Sequence, residues 1–137
     1  MTAMKDHQAA LIHTMVLVSA ADREMTDAEM LAIGDMVKHL PVFEGCTSEN
    51  LIAAAEDCAA LLNAAEGFDH VIDKIRAALP QKLSETAYAL ACEIAAADGR
   101  ASQEELKLLA VLRVRLAVGR LPAAAIERGA AARHMTL

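Results

Sequence analysis

One short turn occurs twice in this sequence. AADREMTDAEM at positions 20–30 and AADGRASQEEL at positions 96–106 align with an offset of 76 residues. Ala-Ala-Asp is identical in the two copies, Thr26 matches Ser102, Glu29 matches Glu105 and Met30 matches Leu106. The flanks agree in apolar pattern: Val16 and Val18 align with Cys92 and Ile94, and Ile33, Met36 and Leu40 align with Leu109, Leu112 and Leu116. Apolar residues three and four apart mark one face of a helix. Each copy therefore predicts a helix–turn–helix unit, over about 11–40 and 87–116, and two such units can pack as a pseudo-symmetric pair.

The same periodicity extends through the chain, as in Leu11, Met15 and Val18 and in Leu83, Ala87, Leu90 and Ile94. It predicts helices near residues 4–21, 27–40, 48–66, 69–79, 82–97, 103–118 and 122–132, which leave no room for a sheet. Composition agrees, because 31 of the 137 residues are Ala, Trp is absent, and Phe and Tyr total three. That mix argues against disorder and against a sandwich or barrel. The expected fold is all-α, a single compact bundle of about seven helices occupying 1–137 as one domain.

Helix ends carry physical punctuation. Ser48 suits the N-cap of the third helix, and Gly67 suits a left-handed turn at its end. Pro41 and Pro80 bar continuation of the second and fourth helices, whereas Pro122 loses nothing in a first turn. The loop Pro41–Thr47 is the one stretch expected to be mobile.

Two readings of the repeated turn stand side by side. In the first, Thr26 or Ser102 caps the next helix and Glu29 or Glu105 completes a capping box. Asp22 and Asp98 then bond turn amides, and Gly99 supplies a positive φ. In the second, Asp22 with Glu29, and Asp98 with Glu105, gather hard carboxylate oxygens for a divalent cation such as Ca²⁺, assisted by Asp27 or Glu104. The pattern is not an EF-hand, because neither copy has that loop's alternating acids, central Gly and terminal Glu.

The duplicated turn resembles the A-A-D-G-x-x-[ST]-x-x-E turn of the TerB-like tellurite-resistance family, and the resemblance covers nearly the whole chain. It implies an all-helical fold of about seven helices with two repeat-related hairpins, a role in tellurite resistance and stress response, and acidic turns that bind metal ions. Related domains are fused to DnaJ-type co-chaperones. Carried over, the implied metal ligands are Asp22 and Glu29 in the first copy and Asp98 and Glu105 in the second. Arg23 stands where the family has Gly, which disfavours a left-handed turn and places a cation beside the carboxylates of the first copy.

Charge narrows the partners. The net charge is −6, with 18 acids against 7 Lys and Arg in residues 1–106 and one acid against 6 in residues 107–137. An acidic body repels phosphate backbones, so no nucleic-acid partner is expected, and the basic tail is expected to pack near the acidic surface. Arg113, Arg115, Arg120, Arg128 and Arg133 read as that closing face, with an acidic partner or anionic lipid as the alternative. No apolar run is long enough to insert in a membrane and no secretory leader is present, so a cytoplasmic location is expected.

Other residues suggest no chemistry. Cys46, Cys58 and Cys92 form no C-x-x-C pair and read as small buried hydrophobes. His13 reads as a satisfied core histidine, and Glu93 as part of a solvated helix face. Met4, Met15, Met25, Met30 and Met36 read as filling an aromatic-poor core, with a partner surface as the alternative. The serines lack a G-x-S-x-G turn, no phosphate loop occurs, and no redox pair supports a tellurium-processing enzyme.

The functional expectation is a non-enzymatic module of the tellurite and metal stress response. It would bind a divalent cation at its two acidic turns and act through protein partners, a membrane-associated stress complex among them. The alternative is a structural protein-interaction domain, a co-chaperone-like helical module whose acidic turns are only helix caps.

Overall fold

The computed structural model describes residues 4–21 and 25–137. Among the described residues the chain forms seven α-helices and two short 3-10 turns, with no strand. The helices are α1 (Asp6–Ser19), α2 (Asp27–His39), α3 (Ser48–Leu62), α4 (Gly67–Ala78), α5 (Ser84–Ala96), α6 (Gln103–Arg115) and α7 (Arg120–Arg133). The all-α expectation holds, and each helix falls where the periodicity places it.

Helix α1 is the axis of the bundle. Every residue from Ala10 to Ser19 is buried, and α3, α4 and α5 all pack on it. A helix enclosed on all sides cannot be amphipathic, which accounts for the near-continuous apolar run LIHTMVLVSA. Leu11, Ile12, Leu17 and Val18 are wholly buried, each contributing about 1.5–3 kcal/mol by leaving water. Helix α5 is the second interior element, lying against α1 on one side and against α6 and α7 on the other. Its buried Ala87, Ala91 and Ala95 let neighbouring backbones approach closely.

Several boundaries differ from expectation, each for a local reason. The N-cap of α3 is Thr47, not Ser48: the Asn50 amide donates to Thr47 Oγ1 at 3.1 Å and the Thr47 amide to Asn50 Oδ1 at 3.1 Å. The left-handed residue after α3 is Glu66, with φ of 58°, so Gly67 is not the turn residue. Gly67 opens α4, where a Cβ would lie 2.5 Å from the Leu62 carbonyl oxygen. Helix α6 ends at Arg115 because Ala117 turns left-handed at φ 58°. There the Val118 amide bonds the Arg113 carbonyl at 2.9 Å and the Ala117 amide the Val114 carbonyl at 3.1 Å, a Schellman closure built on alanine.

The stretch Pro41–Thr47, expected to be mobile, is tied down instead. Pro41–Phe43 forms a 3-10 turn with Phe43 buried, and Gln8 Nε2 on α1 donates to the carbonyls of Val42 at 3.2 Å and Glu44 at 3.0 Å. A buried aromatic ring and a buried amide side chain thus hold the loop to the bundle axis.

Candidate functional site: the acidic turns

The two repeat-related turns end in the same hydrogen-bonded box. Before α2, the Glu29 amide donates to Thr26 Oγ1 at 3.1 Å while the Thr26 amide donates to Glu29 Oε1 at 3.0 Å. Before α6, the Glu105 amide donates to Ser102 Oγ at 3.1 Å and the Ser102 amide to Glu105 Oε1 at 2.9 Å. Each exchange satisfies two donors that a helix start leaves orphaned. Both N-caps have extended backbone, as capping requires.

Glu29 and Glu105 are each only 1% exposed. Burying a carboxylate is costly unless hydrogen bonds compensate, and here one oxygen of each takes the N-cap amide at the favourable end of the helix dipole. Asp27 and Glu104 lie exposed in the first turns of α2 and α6, so each box has one further acid on its own helix start. Asp98 is exposed on the α5–α6 turn, where Gly99 takes φ of 86° and its amide bonds the Ala96 carbonyl at 2.9 Å. The positive φ expected of Gly99 is therefore present.

Among the described residues, no group of three or more His, Cys, Asp or Glu side chains gathers to hold a metal. Asp22 and Arg23 lie outside the described residues, which leaves Glu29 as the described ligand candidate of the first turn. At the second turn Asp98 and Glu104 are exposed, whereas Glu105 is buried with one carboxylate oxygen on the Ser102 amide. All are hard oxygen donors of the kind Ca²⁺ or Mg²⁺ takes, and two or three carboxylates supply only part of such a shell. Water and turn carbonyls would complete it.

Elsewhere the structure corrects one reading and refines another. Glu93 does not belong to a solvated face: its side chain is 12% exposed, with Oε1 2.9 Å from Arg133 Nη1 and Oε2 2.9 Å from His134 Nε2. The signal was in the sequence, in an acid set among the apolar residues of the second half of α5 and a tail rich in bases. His13 is buried as expected and hydrogen-bonds the Ala54 backbone, while its Nε2 has no hydrogen-bond partner among the described residues. Burial, then the nearby Lys74 ammonium, holds its imidazole below the usual histidine pKa.

The remaining expectations meet mixed outcomes. Arg115 pairs with Asp69 and Asp73 on α4 and Arg133 with Glu93 on α5, so two of the five expected arginines close on acidic side chains. Cys58 and Cys92 are buried, and burial pushes their thiols up to about 11 and about 12, which leaves them unreactive at neutral pH. Met15 is buried in the core whereas Met25 and Met30 are 40% and 57% exposed, so the methionines divide between the two readings. No helix among the described residues is long and apolar enough to cross a membrane.

The sequence profile of a family described as tellurite resistance protein TerB matches residues 8–127. No curated protein matches the chain significantly, and no solved structure does.

Proposed function

Since the chain belongs to the TerB tellurite-resistance family, its profile spanning residues 8–127, we propose that it is a non-enzymatic cytoplasmic module of the tellurite and metal stress response. In this reading a divalent cation binds at the acidic turns and the protein acts through protein partners. The observation that carries it is the duplication of one buried, capping glutamate in an acidic turn, at Glu29 and at Glu105. A single cap needs no acid-rich surround, whereas a cation does.

The mechanism follows from electrostatics. Each turn joins two helices, so a cation held by Asp98 and Glu105, or by Asp22 and Glu29, would link those helices and remove carboxylate repulsion. Binding only the folded state raises stability, by about 2.7 kcal/mol at a cation concentration one hundred times Kd. The same ordering would alter the exposed face of α2 or α6 presented to a partner.

A second reading is favoured by the completeness of the boxes: Thr26 with Glu29 and Ser102 with Glu105 satisfy one another without a ligand. The module would then be a structural interaction domain with capped turns. Thermal melting of chelator-stripped protein separates the two. The cation reading expects Ca²⁺, Mg²⁺ or Mn²⁺ to raise Tm by several degrees, and an unchanged Tm with every cation leaves only the caps.

A further inference from the structure

Helix α5 packs on both α6 and α7, but α6 and α7 make little contact with each other, and the space between them is an open groove of about 610 Å³. That volume lies within the range of small-molecule sites, about 300–1,000 Å³. Tyr88, Cys92 and Ala95 of α5 form the floor, Leu106, Leu109 and Ala110 of α6 one wall, and Ala130 and Ala131 of α7 the other. These are apolar or small, and Leu106 at the lip is 47% exposed, which leaves oily surface in contact with water.

The polar groups are distributed unequally along the groove. At the Tyr88 end, Glu127 accepts the Tyr88 hydroxyl proton at 2.6 Å, and Arg113 donates to the Val118 carbonyl at 3.2 Å. Glu127 is the one carboxylate among the described residues lining the groove. At the opposite end, beside Ala96 and Gly99, Arg100 is exposed and no lining carboxylate faces it. His134 closes that end while Glu93 holds its ring. From Tyr88 to Ala96 the floor runs about 12 Å along the helix.

We propose that this groove binds a free, single-chain amphipathic carboxylate of medium length. Its carboxylate pairs with Arg100 and its chain lies over Cys92 and Ala95, between Leu106, Leu109 and Ala110 of α6 and the alanine face of α7. Glu127 offsets Arg113 at the Tyr88 end, whereas Arg100 has no lining carboxylate at the other, which matches an apolar ligand with one anionic end. Arg100 shares the α5–α6 turn with Asp98, but the groove's test is run on chelator-stripped protein and does not depend on a bound cation.

Calorimetric titration of the full chain with decanoate, below its micellar concentration, tests this. Saturable one-to-one binding is expected, weakened about tenfold or more for decanol, which keeps the chain and lacks the charge. Arg100→Glu should weaken decanoate about as much and leave decanol unchanged. Ala110→Phe, at an exposed position of the wall, should fill the groove and abolish binding of both without lowering Tm, and Ala131→Phe should do the same from α7. The proposal is overturned by any of four results: no saturable heat, equal affinity for decanoate and decanol, full binding by both Phe variants, or association only with phosphatidylglycerol vesicles.

Discussion

Glu93 of α5 and His134, the residue that caps α7, meet with Oε2 and Nε2 2.9 Å apart. Arg133 takes the other carboxylate oxygen. One largely buried acid thus fastens the last turn of α7 to an interior helix. Arg133 and His134 are partly exposed, so water screens the pairs and their worth is modest. Glu93→Ala should destabilise the fold by about 1 kcal/mol in urea unfolding, with hydrogen exchange accelerated chiefly in the last turn of α7. Unchanged protection there would contradict this account of the fastening.

The capping boxes make a second prediction. Ser102→Ala and Thr26→Ala each remove one acceptor from a helix start, and each should cost about 1 kcal/mol. Glu105→Gln keeps a side-chain oxygen for the Ser102 amide and should cost less than Glu105→Ala. Urea midpoints at constant m-value measure all four.

Two glycines should respond in opposite directions to the same change. A methyl group at Gly67 would meet the Leu62 backbone at 2.5 Å, so Gly67→Ala should destabilise by about 1–3 kcal/mol. Gly34 lies inside α2 with nothing within 4 Å of a Cβ, so Gly34→Ala should stabilise by about 0.5–1 kcal/mol. Thermal melts of the two variants decide both signs.

The end of α6 inverts that logic. Ala117 occupies the left-handed position of a Schellman closure, where a Cβ costs about 1 kcal/mol. Ala117→Gly should therefore raise stability, and a fall in the urea midpoint would count against that strain.

His13 sets a pH dependence. Its folded pKa lies below the ordinary 6.5 because burial and Lys74 disfavour the imidazolium. The unfolded chain therefore binds a proton first as pH falls, and stability declines from about pH 6.5 downward until the folded pKa is reached. Above that window His13 contributes no slope. Urea unfolding at a series of pH values should show a shallower decline for His13→Leu than for the unaltered chain.

Much of the fold was legible because local signals and packing agree. The uninterrupted apolar run of α1 announces a central helix, and the capping residues Thr26 and Ser102 stand one residue before their helices. What the sequence could not convey depends on distant contacts. The loop around Phe43 reads as mobile until Gln8, on another element, is seen to bind its carbonyls. Gly67 reads as a turn residue because close approach to Leu62 leaves no trace in composition. Glu29 and Glu105 were identifiable as capping or liganding acids, but their nearly complete burial was not. The groove between α6 and α7 escaped because it arises from two helices that both pack on α5 but scarcely on each other, and no local pattern encodes that.

The central claim is that the duplicated acidic turns bind a cation, and calorimetric titration of chelator-stripped protein with Ca²⁺, Mg²⁺, Mn²⁺ and Zn²⁺ tests it most directly. The unaltered chain should give saturable heat with at least one of them, and the variant carrying Asp98→Asn with Glu105→Gln should lose the heat of the second turn while its Tm without metal stays close to that of the parent. No heat from the unaltered chain, or equal heat from both proteins, would contradict a site at Asp98 and Glu105.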